Sequence, residues 1–372
     1  MAALRRRYRA RVTQTRGTPT TRGNRATKKT RKTQTTRAKQ TDELVTVIMP
    51  ARNEEQAIGA ALDSVLGQTY EHLQFVVIEG GSTDRTRAII EERQQQDPRL
   101  EMVTNPKPSI PISLNMGLAA ARGRWLVRVD AHSTVPATYV ADLVARLREG
   151  TWAGVGGVKP GVGITPAGRA IAAAMSSRFG VGNSKYHYAT TELEVDHLPF
   201  GAYPVDLLRE VGGWDENLTT NEDYELDYRL RERGGRLLLD PSVVINWQCR
   251  QSVPDLYRQY VRYGRGKADV AMLHPTSLSA RHIVAPALVA WLALALLRAP
   301  RHPAQAALMV APYAAGVAVA TQKTRGALED DADWVHLPAA FTAMHVGWGY
   351  GFWAGLVRGL ARRGRRASAP RP

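Results

Sequence analysis

The tripeptide Asp130-Ala131-His132 places a carboxylate and an imidazole two residues apart, directly after the apolar run 124–129. Side chains two apart in an extended chain point to the same side, so both groups can face one cleft. Together they can hold a divalent ion that bridges two phosphates. Mg²⁺ prefers oxygen ligands, and the imidazole makes Mn²⁺ comparably suitable. An aspartate that only caps a strand end is the competing interpretation.

A second acidic group, the run N-E-D-Y-E-L at residues 221–226, opens a helical pattern that extends to Arg233. Acidic side chains in a first helical turn interact favourably with the helix dipole, which is the structural interpretation. A carboxylate fixed at that position could also act as a general base that takes the proton of a hydroxyl nucleophile. The pattern alone leaves both roles open.

Apolar runs that precede these polar groups predict the elements that must position them. The predicted strands are residues 45–49, 73–78, 100–103 and 124–129, and a helical pattern follows each of the first three. This alternation indicates an α/β fold with a doubly wound, mostly parallel sheet. Ligands bind at the carboxyl ends of such strands, where this chain is polar. It has no G-x-G-x-x-G and no P-loop, so a different nucleotide site is required.

The charge of the chain is concentrated at its N-terminus. The formal net charge is +16, but residues 1–40 contain 14 Lys or Arg and no Asp or Glu, which leaves the remainder nearly neutral. We predict a disordered basic tail over residues 1–43, either a solvated arm or a segment attracted to anionic membrane lipids. The tail has only Tyr8 for stacking, which argues against nucleic-acid binding. The single cysteine, Cys249, excludes an intramolecular disulfide and is expected to be a buried thiol.

Three apolar segments, 283–297, 304–320 and 339–357, approach the length that crosses a bilayer. Basic residues flank them, and the acidic stretch 329–333 separates the second from the third. The positive-inside rule therefore predicts an in-out-in hairpin of the second and third segments, with the first lying at the interface or spanning less surely. Buried core helices of a soluble protein are the alternative interpretation. We divide the chain into the tail 1–43, a catalytic domain 44–250, an amphipathic interface region 251–282, membrane-associated segments 283–358 and a basic tail 359–372.

Several motifs stand in a fixed order between residues 45 and 267. They are V-T-V-I-M-P-A-R-N-E-E, E-G-G-S-T-D, V-D-A-H, G-A-Y-P-V-D-L-L-R-E-V-G-G-W-D-E and N-E-D-Y-E-L. In this order and spacing they resemble family 2 glycosyltransferases of the GT-A fold, closest to the bacterial exopolysaccharide, succinoglycan-type members. The resemblance implies a Rossmann-like nucleotide-binding half, an acceptor half and inverting transfer from a nucleotide-diphosphate sugar.

The resemblance also implies roles for individual residues. Those matched to donor nucleotide binding are Pro50, Arg52, Glu54, Glu79, Asp84 and Asp130. Glu79 replaces the family's usual base-contacting Asp, so UDP is an expectation, and Asp84 has helix capping as a competing role. Asp130 and His132 match the metal-binding D-x-D, with His in place of the second Asp. This replacement is expected to weaken Mg²⁺ binding or to alter the metal dependence.

Acceptor-side roles follow in the same way. Asp223 matches the catalytic base of the family's E-D pair, and Glu222 supports it. Gln259, Arg262 and Tyr263 resemble the diphosphate-contacting and acceptor-contacting Q-x-x-R-W element of processive members, and a basic amphipathic helix at the membrane surface is the alternative. Acceptor-side loop residues are Gly201 and Ala202.

The sequence thus predicts a metal-dependent, inverting glycosyltransferase at the cytoplasmic face of the cell (inner) membrane. Its cofactor would be Mn²⁺ or Mg²⁺, and its substrates a nucleotide sugar, most simply a UDP-sugar, and a lipid-linked or growing saccharide acceptor of cell-surface polysaccharide synthesis. A catalytically degenerate membrane scaffold is the alternative, because Glu79 and His132 depart from the family pattern.

Overall fold

The computed structural model describes residues 43–367, with side chains as far as residue 362. The predicted basic tail 1–43 therefore lies, except for Glu43, outside the described residues. The predicted tail 359–372 begins within a helix, because the last helix continues to Ala367.

The central sheet has eight strands. They are β1 Val45–Ala51, β2 Leu73–Glu79, β3 Leu100–Thr104, β4 Trp125–Arg128, β6 Gly154–Val158, β8 Leu193–Val195, β9 Ala202–Pro204 and β10 Leu237–Val244. Their order in the sheet is β3-β2-β1-β4-β9-β6-β10-β8. Pairing is parallel from β3 to β4 and between β6 and β10, while β9 and β8 run antiparallel to their neighbours. The predicted α/β fold is confirmed, with antiparallel strands in the second half.

Helices cover both faces of this sheet. Those of the catalytic region are α1 Ile58–Leu66, α2 Thr86–Gln96, α3 Ile110–Ala120, α4 Tyr139–Leu147, α5 Pro166–Met175, α6 Arg178–Val181, α7 Val205–Glu210 and α8 Glu222–Glu232. One core contains Val47 with residues of α1 and α4, and the other contains Ile48 with residues of α3 and α8. Adjacent strand residues thus enter opposite cores, as the alternation of a doubly covered strand requires.

A small second sheet supports the loop that carries His132. Its strands are β5 Ser133–Thr134, β7 Gly161–Val162 and β11 Asn246–Gln248, in the order β5-β11-β7. Cys249 follows β11 and is buried, as expected of a structural thiol, and this burial raises the pKa of the thiol to about 11. A thiol that stays protonated at neutral pH is a poor nucleophile and a poor metal ligand.

The C-terminal third is helical. It contains α9 Val253–Leu273, α10 Arg281–Arg298, α11 Pro303–Arg325 and α12 Leu337–Ala367. α9 and α12 pack so closely that a Cβ atom at Gly351 would overlap the carbonyl oxygen of Val261, and one at Gly264 that of Trp348. Glycine is needed where two helix backbones approach to this distance. The amphipathic region predicted for residues 251–282 is therefore partly a packing surface for α12.

The membrane segments differ from the prediction in two respects. α10 and α11, the first and second segments, are the two helices of the described chain that are long and apolar enough to cross a membrane; α12 is not one of them. The acidic stretch before α12 also does not lie across a membrane from the catalytic domain. Asp333 is buried there and pairs with Arg169 of α5 at 2.6 Å, which holds this stretch against the catalytic domain.

The close contact between α9 and α12 yields a stability prediction. Gly351→Ala is expected to lower the free energy of unfolding by about 1–3 kcal/mol, because the added methyl group displaces a backbone. Thermal unfolding in detergent measures the change. Gly326→Ala, at a helix end where no atom lies within 4 Å of a new Cβ, is the control. Equal melting temperatures for the two variants would contradict the close packing.

Candidate active site

A cleft of about 950 Å³ runs from the carboxyl ends of the central strands to the C-terminal helices. Of the residues that the sequence assigned to a site, seven line it: Asp130, His132, Glu222, Asp223, Gln259, Arg262 and Tyr263. The other seven are not in its wall: Pro50, Arg52, Glu54, Glu79, Asp84, Gly201 and Ala202. The structure therefore brings the predicted metal, base and diphosphate residues together and places the predicted nucleotide loop beside them.

The loop after β1 and the loop after β2 are joined by hydrogen bonds between residues 53–55 and 82–86. Asn53 adopts a left-handed conformation with φ of 54°, and its side-chain oxygen accepts the Thr83 N–H at 2.9 Å. The backbone N–H of Glu54 in turn donates to the Thr86 hydroxyl at 2.7 Å. Pro50 is half-buried near the end of β1, and Arg52 follows the strand on the exposed surface of this loop. A nucleotide bound at this edge would meet a preorganised pair of loops.

Glu79 and Asp84 each have a structural role. Glu79 is 1% exposed, accepts the Ser82 N–H at 2.6 Å and pairs with Arg87 at 3.5 Å. Asp84 accepts the Thr86 N–H at 3.0 Å with one oxygen and the Glu55 N–H with the other. Asp84 thus orders the turn that leads into α2, whose N-cap residue is Arg85, and Glu79 fixes the turn that a nucleotide base would approach.

Arg128, which the sequence analysis missed, links the two acidic motifs. Its guanidinium lies 2.9 Å from Asp130 and 3.3 Å from Glu222, and the side chain is 6% exposed. Burial disfavours its charge, but Asp130, Glu222 and Asp223 outweigh burial and raise the pKa of Arg128. Burial likewise works against ionisation of Asp130, yet Arg128 and His132 lower the pKa of that carboxyl. A charged residue inside the run L-V-R-V-D was the available signal.

Asp130 and His132 fit a divalent cation whose remaining coordination positions a bound diphosphate would fill. Nδ1 of His132 lies 3.1 Å from Oε1 of Glu54, which leaves Nε2 as the ring atom available to a metal. Mg²⁺ and Mn²⁺ are commonly held by one or two protein groups together with substrate phosphates. No group of three or more His, Cys, Asp or Glu with metal-site geometry occurs among residues 43–367. The residues that would hold a cation here are the Asp130 carboxylate and the His132 imidazole.

Asp223 faces the cleft from the first turn of α8. Asn221, which precedes that turn, has a left-handed conformation with φ of 64°, and Oδ1 of Asp223 accepts the Tyr224 N–H at 2.8 Å. The Asp223 side chain remains 28% exposed, so an acceptor hydroxyl can reach it. Glu222 beside it is buried, and burial together with Asp223 raises the pKa of the Glu222 carboxyl. The helix-start and base interpretations are compatible, since one position can serve both.

Lys159 is a second cation that the sequence analysis missed. Its ammonium lies over the rings of Phe200 at 3.9 Å and Trp247 at 4.4 Å, inside the cleft. Burial lowers the pKa of Lys159 to about 8, although Asp130 and Asp223 act in the opposite direction. An ammonium that is held by aromatic faces instead of a carboxylate is free to bind a phosphate oxygen.

The remaining acceptor-side residues occupy two places. Ala202 is buried in β9, and a Cβ at Gly201 would overlap the ring of Tyr203, so the small residues there serve packing of the sheet. In α9, the buried Gln259 donates to the Tyr263 hydroxyl at 2.6 Å, and Arg262 extends into the cleft. Among the described residues no carboxylate forms an ion pair with Arg262.

Comparisons with known proteins identify the family of this chain. The model of glycosyl transferase family 2 matches residues 46–210. The succinoglycan biosynthesis protein ExoA of Rhizobium meliloti (strain 1021) is 30% identical over 336 residues, which cover 85% of this chain and 97% of that protein. The chain belongs to glycosyl transferase family 2. The sequence resemblance to this family is therefore confirmed, and the protein is a glycosyltransferase.

Two further similarities concern the acceptor and the fold. A dolichyl N-acetyl-alpha-D-glucosaminyl phosphate diacetamido-dideoxy-glucuronosyltransferase of Methanococcus voltae is 25% identical over 233 residues, 60% of this chain and 72% of that protein. The mannosyltransferase PcManGT of Pyrobaculum calidifontis, solved with GDP-Man and Mn²⁺, has a TM-score of 0.54 at 20% identity over 82% of this chain and 86% of its own. The latter likeness supports the GT-A fold of this glycosyltransferase.

The buried position of Arg128 yields a second prediction. Arg128→Met is expected to lower the free energy of unfolding by about 3–5 kcal/mol, because it leaves buried carboxylates unpaired. Chemical denaturation followed by tryptophan fluorescence measures this. Arg124→Met is the control, since Arg124 pairs with Glu43 at the surface. A variant as stable as the wild type would show that Asp130 and Glu222 do not need this cation.

Proposed function

We propose that this protein is a metal-dependent, inverting glycosyltransferase that moves a sugar from a nucleotide-diphosphate donor to a lipid-linked saccharide acceptor in cell-surface polysaccharide synthesis. The observation that carries the proposal is the continuity of one cleft. It contains Asp130 and His132 at one end, Asp223 in its wall, and residues of α10, α11 and α12 at the other end. The proposed donor site, the proposed base and the apolar end therefore lie in a single cleft.

The donor end is matched to a diphosphate. Asp130 and His132 would hold the divalent cation, and a bound cation would stabilise the negative charge that develops on the departing nucleoside diphosphate. Arg128 keeps Asp130 ionised, and Lys159 adds a positive charge nearby. Mn²⁺ is the first cation to test, because an imidazole ligand suits it better than Mg²⁺. A UDP-sugar is the expected donor, and GDP-mannose belongs in the same panel because PcManGT was solved with it.

Asp223 is the proposed base. Inversion requires the acceptor hydroxyl to attack the anomeric carbon from the side opposite to the leaving diphosphate, while a carboxylate takes the hydroxyl proton. Asp223 lies in the cleft wall and is partly exposed, whereas Glu222 is committed to Arg128. Of this acidic pair, Asp223 is therefore the one that can reach a substrate.

The apolar end favours an acceptor with a lipid chain. Val284 and Leu288 of α10, Tyr313 of α11, and Met344 and Trp348 of α12 line the cleft there. The relatives ExoA and the Methanococcus voltae enzyme are named for succinoglycan biosynthesis and for a dolichyl phosphate acceptor, which agrees with such a substrate. The lipid would lie along these helices while its terminal sugar reaches Asp223.

The two apolar helices would attach the protein to the membrane. Most of their surface is uncovered, and Leu296, Leu297 and Leu308 are each at least 74% exposed. Trp291 of α10 donates to the Met309 carbonyl of α11 at 2.9 Å, so the helices form a hairpin. Both ends of that hairpin return to the catalytic domain, which we place at the cytoplasmic face of the inner membrane. Anionic lipid head groups would attract the basic residues that flank these helices.

A catalytically degenerate scaffold is the second candidate, because Glu79 and His132 depart from the family pattern. The ion pair between Arg128 and Asp130 and the partial exposure of Asp223 argue against a scaffold. Purified protein incubated with a panel of nucleotide sugars, with and without Mn²⁺ or Mg²⁺ and with membrane lipid extract, separates the two. Metal-dependent release of nucleoside diphosphate from one donor is expected. If no nucleotide sugar in the panel releases nucleoside diphosphate in the presence of verified acceptor lipids, the scaffold interpretation is favoured.

Asp223→Asn is expected to reduce transfer by at least about 100-fold while donor affinity stays near the wild-type value, because the base acts on the acceptor proton in the transition state. Single-turnover transfer and donor titration measure the two quantities. Glu210→Gln, at the end of α7 on the surface, is a matched acidic control. Transfer at the wild-type rate by Asp223→Asn would remove Asp223 from the mechanism.

His132→Ala is expected to weaken the metal dependence of donor binding, because the imidazole is one of two protein ligands proposed for the cation. Donor affinity is titrated against Mn²⁺ concentration in the wild type, His132→Ala and His132→Asp. We expect the Ala variant to need at least about 10-fold more Mn²⁺, and the Asp variant to recover affinity for Mg²⁺. Metal titration curves that coincide for all three proteins would refute the role of His132.

A further inference from the structure

A histidine pairs with both carboxylates of one face of α8. Nδ1 of His197 lies 2.9 Å from Oδ2 of Asp227, and Nε2 of the same ring lies 3.8 Å from Oδ2 of Asp223. Asp223 and Asp227 are four residues apart on the helix, so both project from the same side. The imidazole thus stands between the proposed base and a second, deeper carboxylate.

Asp227 is fixed as an acceptor. It is fully buried, and it receives the Leu198 N–H at 2.8 Å on the oxygen that faces His197 and the Tyr203 hydroxyl at 2.8 Å on the other. Both oxygens already accept a hydrogen bond. The oxygen that faces His197 can accept a second one, from Nδ1–H of that ring. This contact sets the tautomer of the ring and leaves Nε2 directed at Asp223.

Nε2 of His197 and Oδ2 of Asp223, 3.8 Å apart, are both atoms that can take up a proton. A neutral ring protonated on Nδ1 presents a lone pair at Nε2, and an ionised carboxylate also presents lone pairs. A proton taken up by Asp223 can therefore pass to Nε2 of His197.

We propose that His197, oriented by Asp227, is a positioning residue for the base Asp223 and receives the proton that the base takes from the acceptor. This rests on the proposed function. In the transfer step the acceptor O–H bond breaks and an oxygen–carbon bond forms at the anomeric centre. The bond from that carbon to the phosphate oxygen breaks, and its electron pair leaves with the nucleoside diphosphate. The proton moves to Asp223 and then to Nε2 of His197.

The surroundings of His197 favour the resulting imidazolium. Ionisable groups face the ring from two packed elements and from its own segment: Tyr186 of a 3-10 turn, whose ring lies 5.7 Å away, Tyr224, Asp223 and Asp227 of α8, and the adjacent Asp196. Asp196 is itself paired with Arg281 of α10. Burial acts against the charge, but Asp223 and Asp227 outweigh it and raise the pKa of His197. The ring is 15% exposed, so the proton can leave through the cleft after product departs.

The test is the pH profile of kcat/KM for the wild type, His197→Gln and Asp227→Asn. The wild type should lose activity on acidification when the shared proton occupies the pair. In His197→Gln the imidazole no longer contributes to this acid limb, which should therefore move to lower pH by at least about one unit. The value of kcat should fall by about 10–100-fold with little change in the donor KM. Asp227→Asn should shift the limb in the same direction, since the ring then loses its anionic partner.

A matched control exists on the same helix. His274 forms a histidine–carboxylate pair with Glu225 of α8 at 2.9 Å, but it does not line the cleft. His274→Gln should leave the acid limb in place. A purely structural role of His197 would lower the rate equally at every pH, and that result, or a shift equal to that of His274→Gln, would overturn the proposal.

A second readout does not need turnover. The ring nitrogens of ¹⁵N-histidine protein are titrated by NMR, with His197 assigned by its loss in His197→Gln. Asp223→Asn should lower the pKa of His197 by at least about one unit, because it removes one of two anionic neighbours. An unchanged titration would refute the pair. If the pair titrates as expected but no donor is turned over, the proposed function fails and the pair stands. If instead the enzyme is active and the variants have the same pH profile of kcat/KM as the wild type, the role of His197 is refuted and the proposed function stands.

Discussion

The buried guanidinium of Arg128 holds the acidic groups of the cleft in one place. Asp130 and Glu222 would repel each other if both were ionised near Asp223 without a cation between them. Arg128 pairs with both and so allows the Asp130 carboxylate and the start of α8 to meet. Its backbone N–H also donates to the carbonyl of Gly201 at the junction of β4 and β9. The same residue therefore joins the nucleotide half of the sheet to the acceptor half.

From this centre the cleft changes character along its length. Near β4 its wall is charged, and near α10, α11 and α12 it is mostly aromatic and aliphatic, with Arg281, His282 and His345 as its polar members. This gradient suits substrates of opposite chemistry, a nucleotide diphosphate at one end and a lipid at the other. Because the acidic stretch before α12 is tied to α5 by Arg169 and Asp333, the helices that form the apolar end are fixed relative to the catalytic residues. In the function that we propose, membrane attachment and acceptor binding depend on the same packing.

Helix α8 carries more of the site than its length suggests. Its first turn presents Asp223 to the cleft, and one turn later Asp227 holds His197 beside Asp223. On another face, Glu225 is paired with Arg229 and His274, which anchors the helix to the end of α9. A base placed on an element supported in this way keeps its position when the substrate arrives, and such preorganisation lowers the cost of reaching the transition state.

Hydrophobic periodicity was sufficient to predict the order of strands and helices over residues 45–129 and the place of both acidic motifs, because these features depend on residues close together in the chain. Contacts between distant segments could not be predicted in this way: Arg128 and Glu222 are 94 residues apart. Hydropathy also located three apolar segments but assigned the hairpin to the second and third, whereas α10 and α11 are the exposed pair. Apolar side chains of α12, such as Leu337 and Phe341, are buried in protein, and an apolar pattern does not distinguish a protein partner from a lipid one. Which surface stays uncovered depends on contacts that only the folded chain supplies.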